Sequence, residues 1–162
     1  MHDAAGRVFE IREGGLDEPA VAALLRSHLS ELARISPPES MHALGMQALR
    51  APEITFWSAW RGADAVGCGA LKRLDAAHGE VKSMRTAPAW LRTGVATALL
   101  RHILDQARGR GYRRLSLETG ASTEFSAAHA LYEKFGFEEC GPFDGYVDDP
   151  NSLYMTRPLR GT

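Results

Sequence analysis

Met84-Arg85-Thr86-Ala87-Pro88-Ala89-Trp90-Leu91-Arg92-Thr93-Gly94-Val95-Ala96-Thr97 joins a strand to the longest helical signal of the chain. Pro88 ends the strand. Leu91, Val95, Leu99, Ile103 and Ala107 then form one apolar stripe, which predicts a helix over residues 91–110. Gly111 follows at the position where a left-handed residue stops a helix. The first turn of such a helix leaves backbone N–H groups unpaired at the positive end of its dipole. That end suits an anion of the pyrophosphate type. Gly94 and Ala96 carry little or no side chain, so a phosphate could approach the backbone. Arg92 adds a positive charge and Thr93 a hydroxyl. A plain strand-to-helix turn, with Gly94 relieving crowding, is the competing reading. The segment lacks the Gly-Lys-Ser/Thr ending of a Walker loop. It also lacks the three glycines of a dinucleotide fold.

Working outward, alternation of apolar and polar residues predicts a strand over residues 8–12. Asp17 is placed to cap a helix whose stripe is Val21, Leu24, Leu25, His28, Leu29, Leu32 and Ile35. Ser36-Pro37-Pro38 stops it. A short helical piece is expected over residues 41–50. Residues 54–61, rich in β-branched and aromatic side chains, read as a strand. A turn at Gly62-Ala63-Asp64 returns the chain as a hairpin partner over residues 65–74. Residues 79–86 form the next strand. Residues 114–118 read as a short buried strand, with Leu115 and Leu117 facing one way. Ser122 or Thr123 is placed to cap a helix that runs through Phe135 and stops at Gly136. Residues 137–140 and 153–157 close as strands. The order β-α-α-β-β-β-α-β-α-β-β implies an α+β fold. Its mixed central sheet has about seven strands, with helices on both faces.

The bulk composition narrows the function classes. The 162 residues fit one domain, residues 1–162. A net charge of −1 offers no electrostatic case for nucleic acid or a membrane surface. No apolar run approaches the roughly 20 residues that span a bilayer, and the first dozen residues lack a signal-peptide core. Cys68 and Cys140 are the only cysteines, which argues against a disulfide framework and for a reducing, cytoplasmic setting. Cys68, between Gly67 and Gly69, reads as a buried structural thiol. The six histidines show no close ligand pairing, so no metal site is expected.

Three side chains stand out as candidates for chemistry. Tyr132 sits beside Leu131 and Phe135 on a helix, a pattern that by itself suits core packing. Glu80 lies on the strand before the loop, and an exposed glutamate paired with Lys82 or Arg85 is its bland reading. Glu118 ends the following strand, and strand ends in open sheets tend to face the ligand cleft.

Leu91-Arg92-Thr93-Gly94-Val95-Ala96 resembles the Gln/Arg-x-x-Gly-x-Gly/Ala pyrophosphate motif of the GNAT superfamily of N-acetyltransferases. A second family hallmark follows in the expected order, Ala128-x-x-Leu131-Tyr132-Glu133-Lys134-Phe135-Gly136-Phe137. The resemblance covers nearly the whole chain. It implies acetyl-CoA as co-substrate, with Met84, Arg85, Thr86, Leu91, Arg92, Thr93, Gly94, Val95, Ala96, Thr97, Phe125 and Tyr132 along it. It makes Tyr132 the acid that protonates the CoA thiolate, Glu80 the first-choice base with Glu118 second, and the Met84 N–H the oxyanion donor. Leu91 departs from the usual Gln or Arg, and Phe125 from the Asn found in many members. Glu39, Ser40 and His42 would line the acceptor side, with Tyr146, Asp148 and Asp149 closing it. The acceptor is expected to be a small-molecule amine or a protein amine, attacked directly in a ternary complex, and a homodimer is compatible with the family. A non-catalytic acetyl-CoA sensor, tolerant of Tyr132→Phe, is the alternative.

Overall fold

The structure is a computed structural model and describes residues 9–38 and 45–160. Its strands are β1 (Glu10–Glu13), β2 (Ile54–Arg61), β3 (Asp64–Arg73), β4 (His78–Thr86), β5 (Arg114–Gly120), β6 (Glu138–Cys140) and β7 (Ser152–Pro158). They form one mixed seven-stranded sheet in the order β1-β2-β3-β4-β5-β7-β6. Antiparallel hairpins build the first half. β4 and β5 then pair in parallel, as a β-α-β crossover requires. β7 inserts antiparallel between β5 and β6. This is the α+β architecture that the element order predicts.

Helices α1 (Pro19–Ile35), α2 (Val95–Gly109) and α3 (Ser126–Lys134) flank the sheet. The pleat sorts the core into two clusters. On one face Val95, Leu99, Leu100, Ile103 and Leu104 of α2 pack with Leu71, Val81, Leu115, Leu117 and Tyr132. On the other, Val21, Leu24 and Leu25 of α1 pack with Phe56, Trp60, Cys68 and Ala70. Each large apolar side chain buried in this way stabilises the fold by roughly 1.5–3 kcal/mol.

Several local expectations change. The chain between β4 and α2 makes a 3₁₀ turn at Pro88–Trp90 and only then enters the helix, four residues later than the stripe predicts. Backbone geometry is the reason: Leu91 is extended, while Arg92 (φ 63°) and Gly94 (φ 96°) are left-handed. Leu91 is consequently 59% exposed instead of joining the stripe. Asp17 does not cap α1, whose N-cap is Glu18; it pairs with Arg50 at 2.8 Å. Of the piece expected over residues 41–50, the described part holds a 3₁₀ turn at Ala48–Arg50. Neither Ser122 nor Thr123 caps with its side chain, and a 3₁₀ turn at Thr123–Phe125 leads into α3.

Candidate active site

The site forms where the sheet comes apart. β4 and β5 pair over four rungs, from His78↔Arg114 to Val81↔Leu117. Past the last rung both strands continue, β4 to Thr86 and β5 to Gly120, but they no longer pair. A β-bulge helps to turn β4 away. Cys68 and Ala70 of β3 are two residues apart, yet they face Arg85 and Lys82, three apart. Ser83 takes up the extra residue with φ 56°, and its carbonyl accepts a bond from the Cys68 thiol at 3.3 Å. Such a bulge disrupts the ladder and bends the strand.

The resulting cleft has Val81, Lys82, Ser83 and Met84 as one wall and Glu118, Thr119 and Gly120 as the other. His28 and Leu32, four apart on α1, and Ser36 just past its end close it from one face of the sheet. Phe125, Ala128 and Tyr132 close it from the α3 side. Asn151 completes the lining. The cleft therefore lies between the two helical layers of the fold.

Strand parity fixes which groups look which way. Val81 belongs to the α2 cluster, so Lys82 next to it points to the α1 face, opposite Ala70 of the α1 cluster. Leu117 belongs to the α2 cluster, which puts Glu118 on the α1 face as well. Tyr132 comes from the α2 side.

Tyr132 is 7% exposed and meets Phe137 edge-on at 5.8 Å. Its hydroxyl has no hydrogen-bond partner among the described residues, although the side chain lines the cleft. Burial, and secondarily the charge of Glu118, raises the phenol above its ordinary range, so it keeps its proton.

Glu80 departs from the exposed glutamate of the bland reading. It is 1% exposed and does not line the cleft. Its Oε2 accepts from the Tyr146 hydroxyl at 2.5 Å and from Lys82 Nζ at 3.1 Å, and Lys82 also donates to the Tyr146 hydroxyl at 2.9 Å. Tyr146 is raised by burial first, then by the charge and hydrogen bond of Glu80. The aromatic rings of Phe143 and Tyr154 pack around it, at 5.1 and 5.6 Å. Tyr146 is thus held beneath the wall instead of lining it. Glu118 does line the cleft and accepts the Ser152 hydroxyl at 2.8 Å. Asp149 accepts the Asn151 N–H in a turn. Glu39, Ser40 and His42 lie outside the described residues.

At the head of α2 the left-handed Arg92 and Gly94 turn the chain so that the backbone enters the helix at Val95. The N–H groups of the first turn have no intrahelical partners. Val95 itself is buried in the core. The Thr93 hydroxyl is engaged, donating to the Trp90 carbonyl at 2.5 Å. Arg85 turns to α1, where Nη2 donates to Ser27 Oγ at 3.0 Å, and Thr86 still pairs with Gly67.

The cleft also contains residues that the sequence reading did not assign to it. His28 reads as a member of an apolar stripe, and a polar residue on such a stripe was the available signal. Its imidazole is lowered to about 4 by burial and by the nearby Arg85 charge. Lys82 entered only as a partner for Glu80, yet it forms part of the wall. Nothing in the local sequence marks Asn151. Cys68 is fully buried, with its thiol raised to about 12, consistent with a structural role. Among the described residues no group of His, Cys, Asp or Glu could hold a metal, and no helix is long and apolar enough to cross a membrane.

This geometry agrees with comparisons to known proteins. The model of the Acetyltransferase (GNAT) family matches residues 21–137. The uncharacterized N-acetyltransferase YsnE of Bacillus subtilis (strain 168) is 57% identical, over 86% of this chain and 92% of its own length. The uncharacterized N-acetyltransferase YedL of Escherichia coli (strain K12) is 53% identical, over 94% and 96%. A Klebsiella pneumoniae structure described as an acyl-CoA N-acyltransferase superposes with a TM-score of 0.76 at 26% identity, over 94% of this chain and 99% of that one. The split sheet, the glycine-led helix and these relatives lead to one assignment: the chain belongs to the GNAT family of acetyltransferases, enzymes that use acetyl-CoA.

Proposed function

We propose that this chain moves the acetyl group of acetyl-CoA onto a primary amine by direct attack in a ternary complex. The observation that carries the reading is Tyr132, a buried phenol whose hydroxyl has no hydrogen-bond partner among the described residues, lining a split between two parallel strands. The pantetheine arm occupies the gap between β4 and β5. The pyrophosphate rests on the first turn of α2, against backbone N–H groups from Arg92 to Thr97. The acceptor enters from the α1 face.

The amine must be neutral to attack, because an alkylammonium ionises near ~10. Of the two carboxylates considered, Glu118 is the one on the cleft wall, so it takes that proton, directly or through water. Glu80 holds Lys82 in place. As the nitrogen bonds to the carbonyl carbon, the oxygen gains charge beside the bulge, where the Met84 N–H donates to it. The C–S bond then breaks, and Tyr132 gives its proton to the departing thiolate. Its raised pKa keeps that proton available throughout the neutral range.

Tyr132→Phe tests the reading. It should lower kcat by roughly 10²-fold or more, the usual range for a general acid, with acetyl-CoA affinity unchanged. Full activity in Tyr132→Phe would remove the phenol from the mechanism.

A further inference from the structure

Lys82 and Glu118 are the first residues past the last rung of the β4–β5 ladder, Val81↔Leu117. Both line the cleft, and both point to the α1 face. One wall of the acceptor side therefore carries an ammonium, and the facing wall a carboxylate. The ammonium is not simply cancelled by its ion pair. Glu80 Oε2 lies 3.1 Å from Lys82 Nζ, and of the two residues only Lys82 lines the cleft. The side chains of Lys82 and Glu80 are only 8% and 2% exposed. Burying two charges in this way is costly, and replacing them by apolar residues is often neutral or better for stability. A stability role alone is a weak reason for the pair to be there.

The geometry of Lys82 leaves room for a ligand. An ammonium has three donors. Among the described residues two are in use, to Glu80 and to the Tyr146 hydroxyl at 2.9 Å. The surroundings favour a negative partner for the third. Arg85 also faces α1, and its charge contributes to keeping His28 neutral. The nearby Glu31 is already paired with Arg34 at 2.6 Å.

We infer that the acceptor is an amine bearing a carboxylate, an amino acid or a close relative. Its carboxylate would sit on Lys82 and its amino group would face Glu118. Lys82 is then a specificity residue for the acceptor and takes no part in the bond changes. The inference rests on the acetyl-transfer reading above and narrows its substrate class. A polyamine or a protein N-terminus has no carboxylate beside the amine and would leave Lys82 unmatched.

The test compares acceptors that differ only in the carboxylate. The standard L-amino acids, their C-terminal amides and the corresponding decarboxylated amines are each assayed for acetylation by the full-length protein. Acetyl-CoA binding is measured separately by calorimetry. The free acids should include the best acceptors, with kcat/KM roughly ten-fold or more above their amides, the range of one lost charged contact. In Lys82→Met combined with Glu80→Gln, which leaves no unpaired buried charge, that acid-to-amide ratio should collapse, mainly through KM. Lys82→Arg should keep part of it. Amides acetylated as well as acids by the wild type would overturn the inference. So would a ratio that survives in the double variant, or a protein that binds acetyl-CoA but acetylates no free acid. Failure to bind acetyl-CoA would instead strike the transfer reading itself.

Discussion

The ring of Phe125 occupies the space that a side chain on Gly120 would fill: a Cβ built there would overlap the ring edge. The end of β5 and the turn before α3 thus interlock, and Phe125 is held against the cleft. Gly120→Ala must push the ring into the cleft or out of it. The expected cost is about 1–3 kcal/mol of stability, as for other overpacked sites, together with a raised KM. Urea unfolding and steady-state kinetics measure the two effects. Unchanged values of both would mean that Phe125 is free to swing away.

Glu118 is the carboxylate on the cleft wall, and its charge contributes to raising the Tyr132 phenol. Glu118→Gln should lower kcat/KM by roughly 10²-fold or more if it serves as the base. It should also lower the Tyr132 pKa toward its ordinary value, because one of the two causes of the rise is gone. A pH–rate profile reports the first effect and an ultraviolet titration of the phenol the second. Activity that survives Glu118→Gln but falls in Glu80→Gln would return the base role to Glu80.

His28 gives the fold an acid-sensitive component. Its imidazole is near 4 when folded and near 6.5 when unfolded, so between those values the unfolded chain binds the extra proton. Stability from this group is complete above pH 6.5 and is lost as pH falls toward 4. One pKa unit is worth about 1.4 kcal/mol, and the partly buried ring should account for about 2 kcal/mol. Thermal melts of the wild type should therefore decline from pH 7 to pH 4 more steeply than those of His28→Leu. Parallel declines would contradict it.

The Lys82–Glu80 pair predicts a stability pattern of its own. Lys82→Met alone leaves the buried Glu80 charge without its cation, a change that costs about 3–5 kcal/mol at buried pairs. Lys82→Met with Glu80→Gln should recover most of that loss. A double-mutant cycle in urea measures the coupling. Additive single losses would mean that the two charges do not depend on each other.

The sheet was legible because its signals are local. Residues 54–61 are β-branched and aromatic, a turn follows, and the predicted strand coincides with β2. The Gly111 and Gly136 stops hold because both residues are left-handed in the structure. The start of α2 was misplaced because an apolar Leu91 continues the stripe, while backbone geometry at Arg92 and Gly94 excludes it. The site was legible only in part. Gly94 and Tyr132 belong to motifs with their own spacing. Glu118 is marked by its place at a strand end, whereas Lys82 and His28 gain meaning only from the point where β4 and β5 part and from the helix packed over it, relations between residues far apart in the chain. The burial of Glu80 likewise depends on Tyr146, more than sixty positions away.

The cleft and the first turn of α2 are proposed to bind acetyl-CoA. Calorimetric titration of acetyl-CoA into the pure protein, with dephospho-CoA and ATP as controls, tests it most directly. Gly94→Glu would set a carboxylate and a strained left-handed backbone at the helix terminus proposed to hold the pyrophosphate. The wild type should bind saturably with micromolar affinity, Tyr132→Phe should bind equally well, and Gly94→Glu should bind at least roughly ten-fold more weakly. Folded wild-type protein that shows no saturable binding, or a Gly94→Glu variant that binds as tightly, would contradict it.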